Sequence, residues 1–448
     1  MLAATGDQAL PRERLPAISV LIGLFIVGAV ALTSVWSLPV KITGMVLAVG
    51  YAIMSIRTRM YPAPEMILYL GWVTWSLTGL VGARDPAFFF LTWTTVFQIW
   101  VLTWIISTYT VNRRTLSFTL GSFLVGALVV GSYSYVTGEY ERAEASPDIR
   151  VGGLAMNANA FAWLMVLATI TMAYFWMLPS RRPWLKYGTL IAGMMGAGVA
   201  CILSASRTGL VGLMAFYPLW IWFCYRRVML RRAGVFAAVV LGLIVGGYVF
   251  VTVLAQSGAS ERLLSMFGVL HGQHQRSVDI RISLVKEAWA LFQRFPITGV
   301  GLGNFRLYSA TGHVAHSEYA EVASTTGAPG FVLYFSIFIV LWLRAGKIAR
   351  HARDDVALGT ARLIRAVVVV VLLMSLGQIS YYNKAAWIAF ASFVGYTSAV
   401  WQDLRSRLPQ PRGAIQPDGV LQGPFALGQA GTTQAAGTGP GDPGGGSG

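Results

Sequence analysis

The sequence predicts an all-α polytopic membrane protein of about twelve transmembrane helices, with one large outer loop containing amphipathic helices. Three observations predict it. Of 448 residues, 55% are hydrophobic and only 12% charged, where a soluble domain carries about 25% charged residues. A chain this apolar cannot cover a globule with polar surface. Apolar runs recur that suit a bilayer, which takes about 20 residues per helix. Lysines and arginines also divide unequally between alternate loops, as they do when they set orientation. The net charge of +16 therefore reads as a membrane-insertion signal, and no nucleic-acid partner is expected.

The runs cover residues 17–36, 42–56, 65–82, 87–108, 116–137, 152–178, 187–205, 208–225, 233–256, 328–343, 366–382 and 385–401. Drawn so, none holds a Lys, Arg, Asp or Glu except Glu65 at one margin; a charge at mid-bilayer costs several kcal/mol. The first run follows Arg12 and Arg14 without a small-residue cleavage signature, so it is expected to stay as a helix rather than be removed as a signal. With the N-terminus inside, 22 of the 34 Lys and Arg fall on the inner side and 12 outside, six of those in the loop 257–327. The rule of positive inner loops then gives both termini inside and that loop outside. The expected layout is nine helices over 1–256, the loop over 257–327 with the chemistry, three helices over 328–405, and a tail over 406–448 whose Pro, Gly, Gln and Thr cannot build a core. Cys201 and Cys224 lie in apolar runs and read as packing residues.

Within the loops, 138–151 is mixed in charge and suits a short interfacial helix. In the long loop, Ile282, Val285, Ala288, Trp289 and Phe292 recur at three- and four-residue spacing from Arg281, an amphipathic helix ended at Phe295-Pro296. A turn, Gly299-Val300-Gly301-Leu302-Gly303, follows. A second helix is expected near His316, feeding the tenth span through Gly327-Ala328-Pro329-Gly330. The glycine turn lacks the Gly-Lys-Ser/Thr of a phosphate-binding P-loop and the strand–turn–helix setting of a dinucleotide site. It reads as a tight turn re-entering the membrane surface.

This segment carries the chemistry. His316 heads a polar helix at a water–membrane boundary, where a neutral imidazole can take a proton from a hydroxyl; the plain alternative is an exposed loop histidine. His313 precedes it. Glu318 and Glu321 stand near enough in sequence to orient it or to serve as an alternative base. His271 and His274 flank Gly272-Gln273, but no Asp, Glu or Cys completes a metal set, so neither metal nor cofactor is expected. Arg281, Arg294 and Arg306 share the loop. Arg207, in Ser204-Ala205-Ser206-Arg207-Thr208-Gly209, sits where one span ends and the next begins; it either reaches lipid phosphate or binds a substrate phosphate, for which its planar fork is suited. Arg150 precedes Gly152, and Asn157 and Asn159 enter an apolar run where amides need partners: another helix, or a polar cavity.

Taken in order, these pieces resemble the bacterial O-antigen ligase and polymerase superfamily, the ligases most closely. Ser206-Arg207-Thr208-Gly209 is similar to its Ser-Arg signature. Arg281 through Ala288, Pro296 and Gly299-Val300-Gly301-Leu302-Gly303-Asn304-Phe305 are similar to its loop signature. His316-Ser317-Glu318-Tyr319 with Gly327-Ala328-Pro329-Gly330 are similar to its histidine piece, though Tyr319 stands where an aliphatic residue is usual. Arg150, Gly152 and Asn159 resemble an earlier piece weakly. The resemblance covers roughly residues 15–405. It implies a GT-C-like, metal-independent, inverting glycosyltransferase of the bacterial inner membrane with a periplasmic active site. The implied donor is a polysaccharide on undecaprenyl pyrophosphate and the implied acceptor is lipid A–core. His316 would be the base, Arg207 and Arg281 the pyrophosphate-binding catalytic pair, and Arg150, Asn159, His313, Tyr319 and Arg306 substrate-binding residues. O-antigen polymerase, protein oligosaccharyltransferase and, from another class, a polyprenyl-glycan transporter remain as alternatives; a transporter would be expected to carry mid-membrane charges and repeated halves, neither of which the sequence offers.

Overall fold

A computed structural model describes residues 17–31, 63–145, 157–232 and 276–407, with isolated residues between these stretches. The runs expected at 42–56 and 233–256 and the tail beyond residue 407 lie largely outside the described residues. The described helices are α1 (Ala17–Ala31), α2 (Pro64–Trp75), α3 (Pro86–Tyr109), α4 (Arg113–Val136), α5 (Glu139–Ala145), α6 (Ala158–Met177), α7 (Pro183–Leu203), α8 (Arg207–Arg231), α9 (Arg276–Arg294), α10 (Phe305–Tyr308), α11 (Glu318–His351), α12 (Asp355–Met374) and α13 (Lys384–Arg407). A 3-10 turn, Ser76–Gly82, continues α2. Seven described helices (α3, α4, α6, α7, α8, α11 and α12) are long and apolar enough to cross a membrane. α5 is the short helix expected after residue 138.

Side chains at the helix starts explain where the chain turns. Asp85, Asn157, Ser206 and Asp354 each accept a hydrogen bond from a backbone N–H in the first turn of α3, α6, α8 and α12, removing a donor the helix cannot satisfy itself. Asn112 and Thr115 form a reciprocal capping box at α4. Pro64, Pro86 and Pro183 occupy first-turn positions, where a missing N–H costs nothing. α11 packs on α2, α9 and α12, α8 on α12 and α6, and α6 also on α4 and α7. α6 is the innermost of the seven spans: Phe161, Ala162, Trp163 and Val166 are fully buried.

One charge counted as an inner-loop residue lies inside the bundle. Arg344, near the end of α11, pairs with Glu65 at the start of α2, and the two side chains are 6% and 0% exposed. α11 runs past the expected end of the tenth apolar span, so Arg344 is carried on a helix and needs its carboxylate partner, because an unpaired charge there is costly.

α11 bends where its sequence demands it. Gly327 has φ 67°, a left-handed conformation natural to glycine, and Pro329 has no N–H to return to Thr325. The carbonyls of residues 324–326 are thereby left without helical partners. Val300 N–H donates to Ser324 (2.9 Å) and Gly301 N–H to Thr325 (3.0 Å), while Trp75 Nε1 donates to Thr326 (3.0 Å). Ala328 N–H donates instead to Pro296 (2.8 Å). The Gly299–Gly303 turn is thus bolted to the bend. Gly301, φ 87°, has room for no side chain: a Cβ would lie 2.8 Å from the Gly79 carbonyl oxygen and 2.9 Å from the Phe89 ring.

Candidate active site

The same bolt positions the next residues. The buried Asn304 side chain accepts from Asp85 N–H (2.9 Å) and donates to the Asp85 carbonyl (3.3 Å). Tyr308 donates to Gly82 (2.7 Å), and Arg84 donates to Leu307 (2.6 Å) while stacking on Tyr308. α10 is held against the start of α3, and Arg306 lies 3.6 Å over the Phe88 ring. α9 packs Leu284 and Ala288 onto Phe305 and Ala315. The helix expected from Arg281 is present and begins earlier, at Arg276. Its buried side is Leu284 and Ala288; Ile282, Val285 and Trp289 are exposed.

At this end of the bundle a cavity of about 680 Å³ opens between α3, α6, α11 and the start of α13, within the usual size of a ligand site. Its walls include Thr92, Asn157, Asn159, Arg306, His316 and Glu321, with Gln378, Tyr381, Tyr382, Asn383 and Lys384 from the turn between α12 and α13.

His316 stands two residues before α11 rather than in it, at φ 54°. Both sides of this strained residue are anchored. Ala315 N–H donates to Glu321 Oε2 (2.8 Å), and Glu318 N–H donates to the Ser375 carbonyl (2.8 Å). The imidazole is half-buried, and its pKa is lowered from 6.5, first by burial, then by Arg281, then by His313. It is therefore neutral at neutral pH and free to accept a proton. The His313 and His316 rings lie 6.5 Å apart. Burial, then Glu321 and Glu318, push the Tyr382 hydroxyl up to about 12, so it stays a donor in the cavity.

The expected residues are partly brought together. His316, Asn159 and Arg306 line the cavity, and Arg281 is near enough to act on the charge of His316. Arg207 is the first residue of α8; the adjoining Ser206 hydroxyl donates to Asn159 Oδ1 in the cavity wall (2.9 Å). Asn157 and Asn159 thus have local partners and also face the cavity. His313 is exposed and is not among the residues that line the cavity. Tyr319 turns elsewhere: its hydroxyl donates to Leu372 (3.0 Å) and its ring stacks on Phe335. Arg150, His271 and His274 lie outside the described residues.

The two glutamates separate. Glu318 is fully buried and accepts from Tyr334 (2.5 Å), Ser375 (2.5 Å) and Ser380 (2.9 Å), tying α11 to the α12–α13 turn. Glu321 faces the cavity. Sequence reasoning missed the turn 375–384; its signal was the run Ser375-Leu376-Gly377-Gln378-Ile379-Ser380-Tyr381-Tyr382-Asn383-Lys384, unusually polar for a link between two spans.

Fold and site together define an all-α polytopic membrane protein with a cavity at one end of its bundle whose largely apolar wall carries polar and basic side chains. Residues 192–335 match the family model described as O-antigen ligase, a narrower stretch than the expected 15–405. It contains Arg207, Arg281, the glycine turn and His316, and it supports a place in the O-antigen ligase superfamily, with ligase- or polymerase-type glycosyl transfer in a membrane as the general function. No curated protein matches the chain.

Proposed function

We propose that the chain transfers O-antigen polysaccharide from undecaprenyl pyrophosphate to lipid A–core, with inversion and without a metal, at the periplasmic face of the inner membrane. The observation that carries the reading is His316, neutral and anchored on both sides, lining a large cavity with polar and basic side chains in its wall, and near Arg281. In the proposed step the acceptor hydroxyl loses its proton to His316 Nε2 or Nδ1 as its oxygen attacks the anomeric carbon. The bond from that carbon to the pyrophosphate oxygen breaks, and undecaprenyl pyrophosphate departs with the electron pair. Arg207 and Arg281 offset the charge gathering on the leaving phosphates. His316 then releases the proton to water.

The remaining residues bind and orient. Arg306 and Lys384 add positive charge to the cavity wall, and Asn159 offers an amide to sugar hydroxyls. His313 and Arg150 serve the same substrates, and Tyr319 holds α11 in place through Leu372. The inner-loop arginine excess supports termini on the cytoplasmic side and the cavity on the other.

Reconstitution of the purified protein with lipid-linked glycan and lipid A–core, in EDTA, tests the reading. One glycan joined to lipid A–core, at a rate EDTA leaves unchanged, is the expected product. Growth of glycan on the polyprenyl lipid would instead identify a polymerase. The absence of either product would overturn both.

A further inference from the structure

A second cavity, of about 340 Å³, lies between α6, α7, α8 and α12, lined by residues that include Trp176, Tyr187, Tyr225, Asp355, Gly359 and Arg362. It is at the far end of the bundle from His316. α12 runs from Asp355, on this cavity, to Ser375 beside Glu318, and from Arg362 to Ser375 is about 20 Å of helix axis at 1.5 Å per residue.

Arg362 lines it, beside Asp355, and further arginines stand around Arg362. Arg362 donates to the Cys224 carbonyl (3.5 Å) and is within electrostatic range of Arg226 and Arg227. One turn on, Arg365 is within range of Arg226 and Arg350. Its guanidinium stacks between Trp342 (4.2 Å) and Phe223 (4.9 Å). Asp355 is the carboxylate that acts on Arg362. Like charges repel, and orientation of the chain requires arginines only in the inner loops, not focused on one cavity between spans. Arg365 Nε and Trp342 Nε1 are both buried and have no acceptor among the described residues, an arrangement that is costly as it stands. An anion in the cavity that Arg362 shares with its neighbouring guanidinium groups offsets their repulsion. Trp222, Val228 and Leu230 stand exposed on the same end of α8, an apolar setting that suits a lipid.

We propose that this cavity binds a phosphate group, and that its source is the head group of an anionic phospholipid, a setting in which basic pockets between spans bind such lipids. The site is separate from the glycan-transfer cavity and stands whether or not that reading holds.

The test uses the full-length protein in neutral detergent, titrated with cardiolipin, phosphatidylcholine or inorganic phosphate, with bound lipid counted by native mass spectrometry and thermal stability followed in parallel. Wild-type protein is expected to retain cardiolipin saturably and in preference to phosphatidylcholine. Arg362→Gln and Arg365→Gln should each weaken retention about fivefold, from roughly 1 kcal/mol per basic residue. Arg405→Gln, an exposed charge on α13, should leave it unchanged. Gly359→Leu leaves every arginine in place and fills the cavity, a Cβ there lying 3.2 Å from Met177 Sδ; it should reproduce the loss and so separate the site from misfolding of the arginine variants. A saturable stabilisation by inorganic phosphate that the same variants abolish, without lipid retention, would assign the site to free phosphate. Equal retention in all variants, or an equal loss in Arg405→Gln, would overturn the proposal.

Discussion

Glu321 is the residue whose replacement discriminates best between holding and reacting. Its carboxylate is 1% exposed, lines the cavity and accepts the N–H of buried Ala315 at 2.8 Å. Replacement by alanine leaves that N–H buried without an acceptor, which costs about 1–3 kcal/mol. The strained backbone at His316 stores about 1–3 kcal/mol that the surroundings must hold. Once Ala315 is released, His316 relaxes away from its place in the cavity. If that cost is felt as misalignment of the base, transfer slows about five- to 150-fold, since 1.4 kcal/mol is about tenfold. Glu321→Gln keeps an acceptor oxygen of the same reach and should retain activity within about threefold. The assay is single-turnover glycan transfer in proteoliposomes, with thermal stability of each variant measured alongside. Equal loss in Gln and Ala variants of unchanged stability would refute the positional account and make the carboxylate charge itself part of the reaction.

Three further outcomes are expected. The base form of His316 is lost as pH falls through its lowered pKa, so activity should hold below pH 6.5; Arg281→Gln removes a positive neighbour and should move the acid limb of its residual activity upward, and a limb that stays or moves down contradicts the geometry. Breaking the Glu65–Arg344 pair with Glu65→Leu or Arg344→Met alone should destabilise by about 3–5 kcal/mol, while the double variant recovers most of it; additive losses in a denaturation cycle would contradict a buried pair. Arg207→Lys keeps the charge and loses the bidentate fork, and transfer should fall by about tenfold or more; wild-type turnover would favour a lysine-replaceable contact to membrane lipid.

Much of this architecture was legible in the sequence because a bilayer imposes long apolar runs and sorts charge by side. Helices α3, α4, α6, α7 and α8 fall where those runs predicted them, with ends off by at most about six residues, whereas α12 runs over Asp355–Met374 rather than 366–382, so the second half of that run is the turn after Ser375. What periodicity could not do was tell protein from lipid. On α9 the amphipathic spacing picked out Ala288, which is buried, but also Val285 and Trp289, which are exposed, and it passed over Leu284, which is buried. The bend in α11 was readable from Gly327 and Pro329. That the freed carbonyls would be met by the glycine turn was not, because the partners are about 25 residues apart in sequence, and only the fold joins them. Arg344 looked like a loop charge until its helix extended to meet Glu65. Glu318 and Glu321 were equivalent on paper; three residues of helix turn one into a buried tie and the other into the cavity. The turn 375–384 escaped notice because its groups are amides and hydroxyls, which draw attention only when a cavity collects them.

The central claim is that His316 takes the proton of the acceptor hydroxyl. Glycan transfer to lipid A–core by reconstituted His316→Ala, at matched folding and membrane insertion, tests it most directly. The account predicts loss of transfer with lipid-linked donor still bound; turnover at the wild-type rate would contradict it.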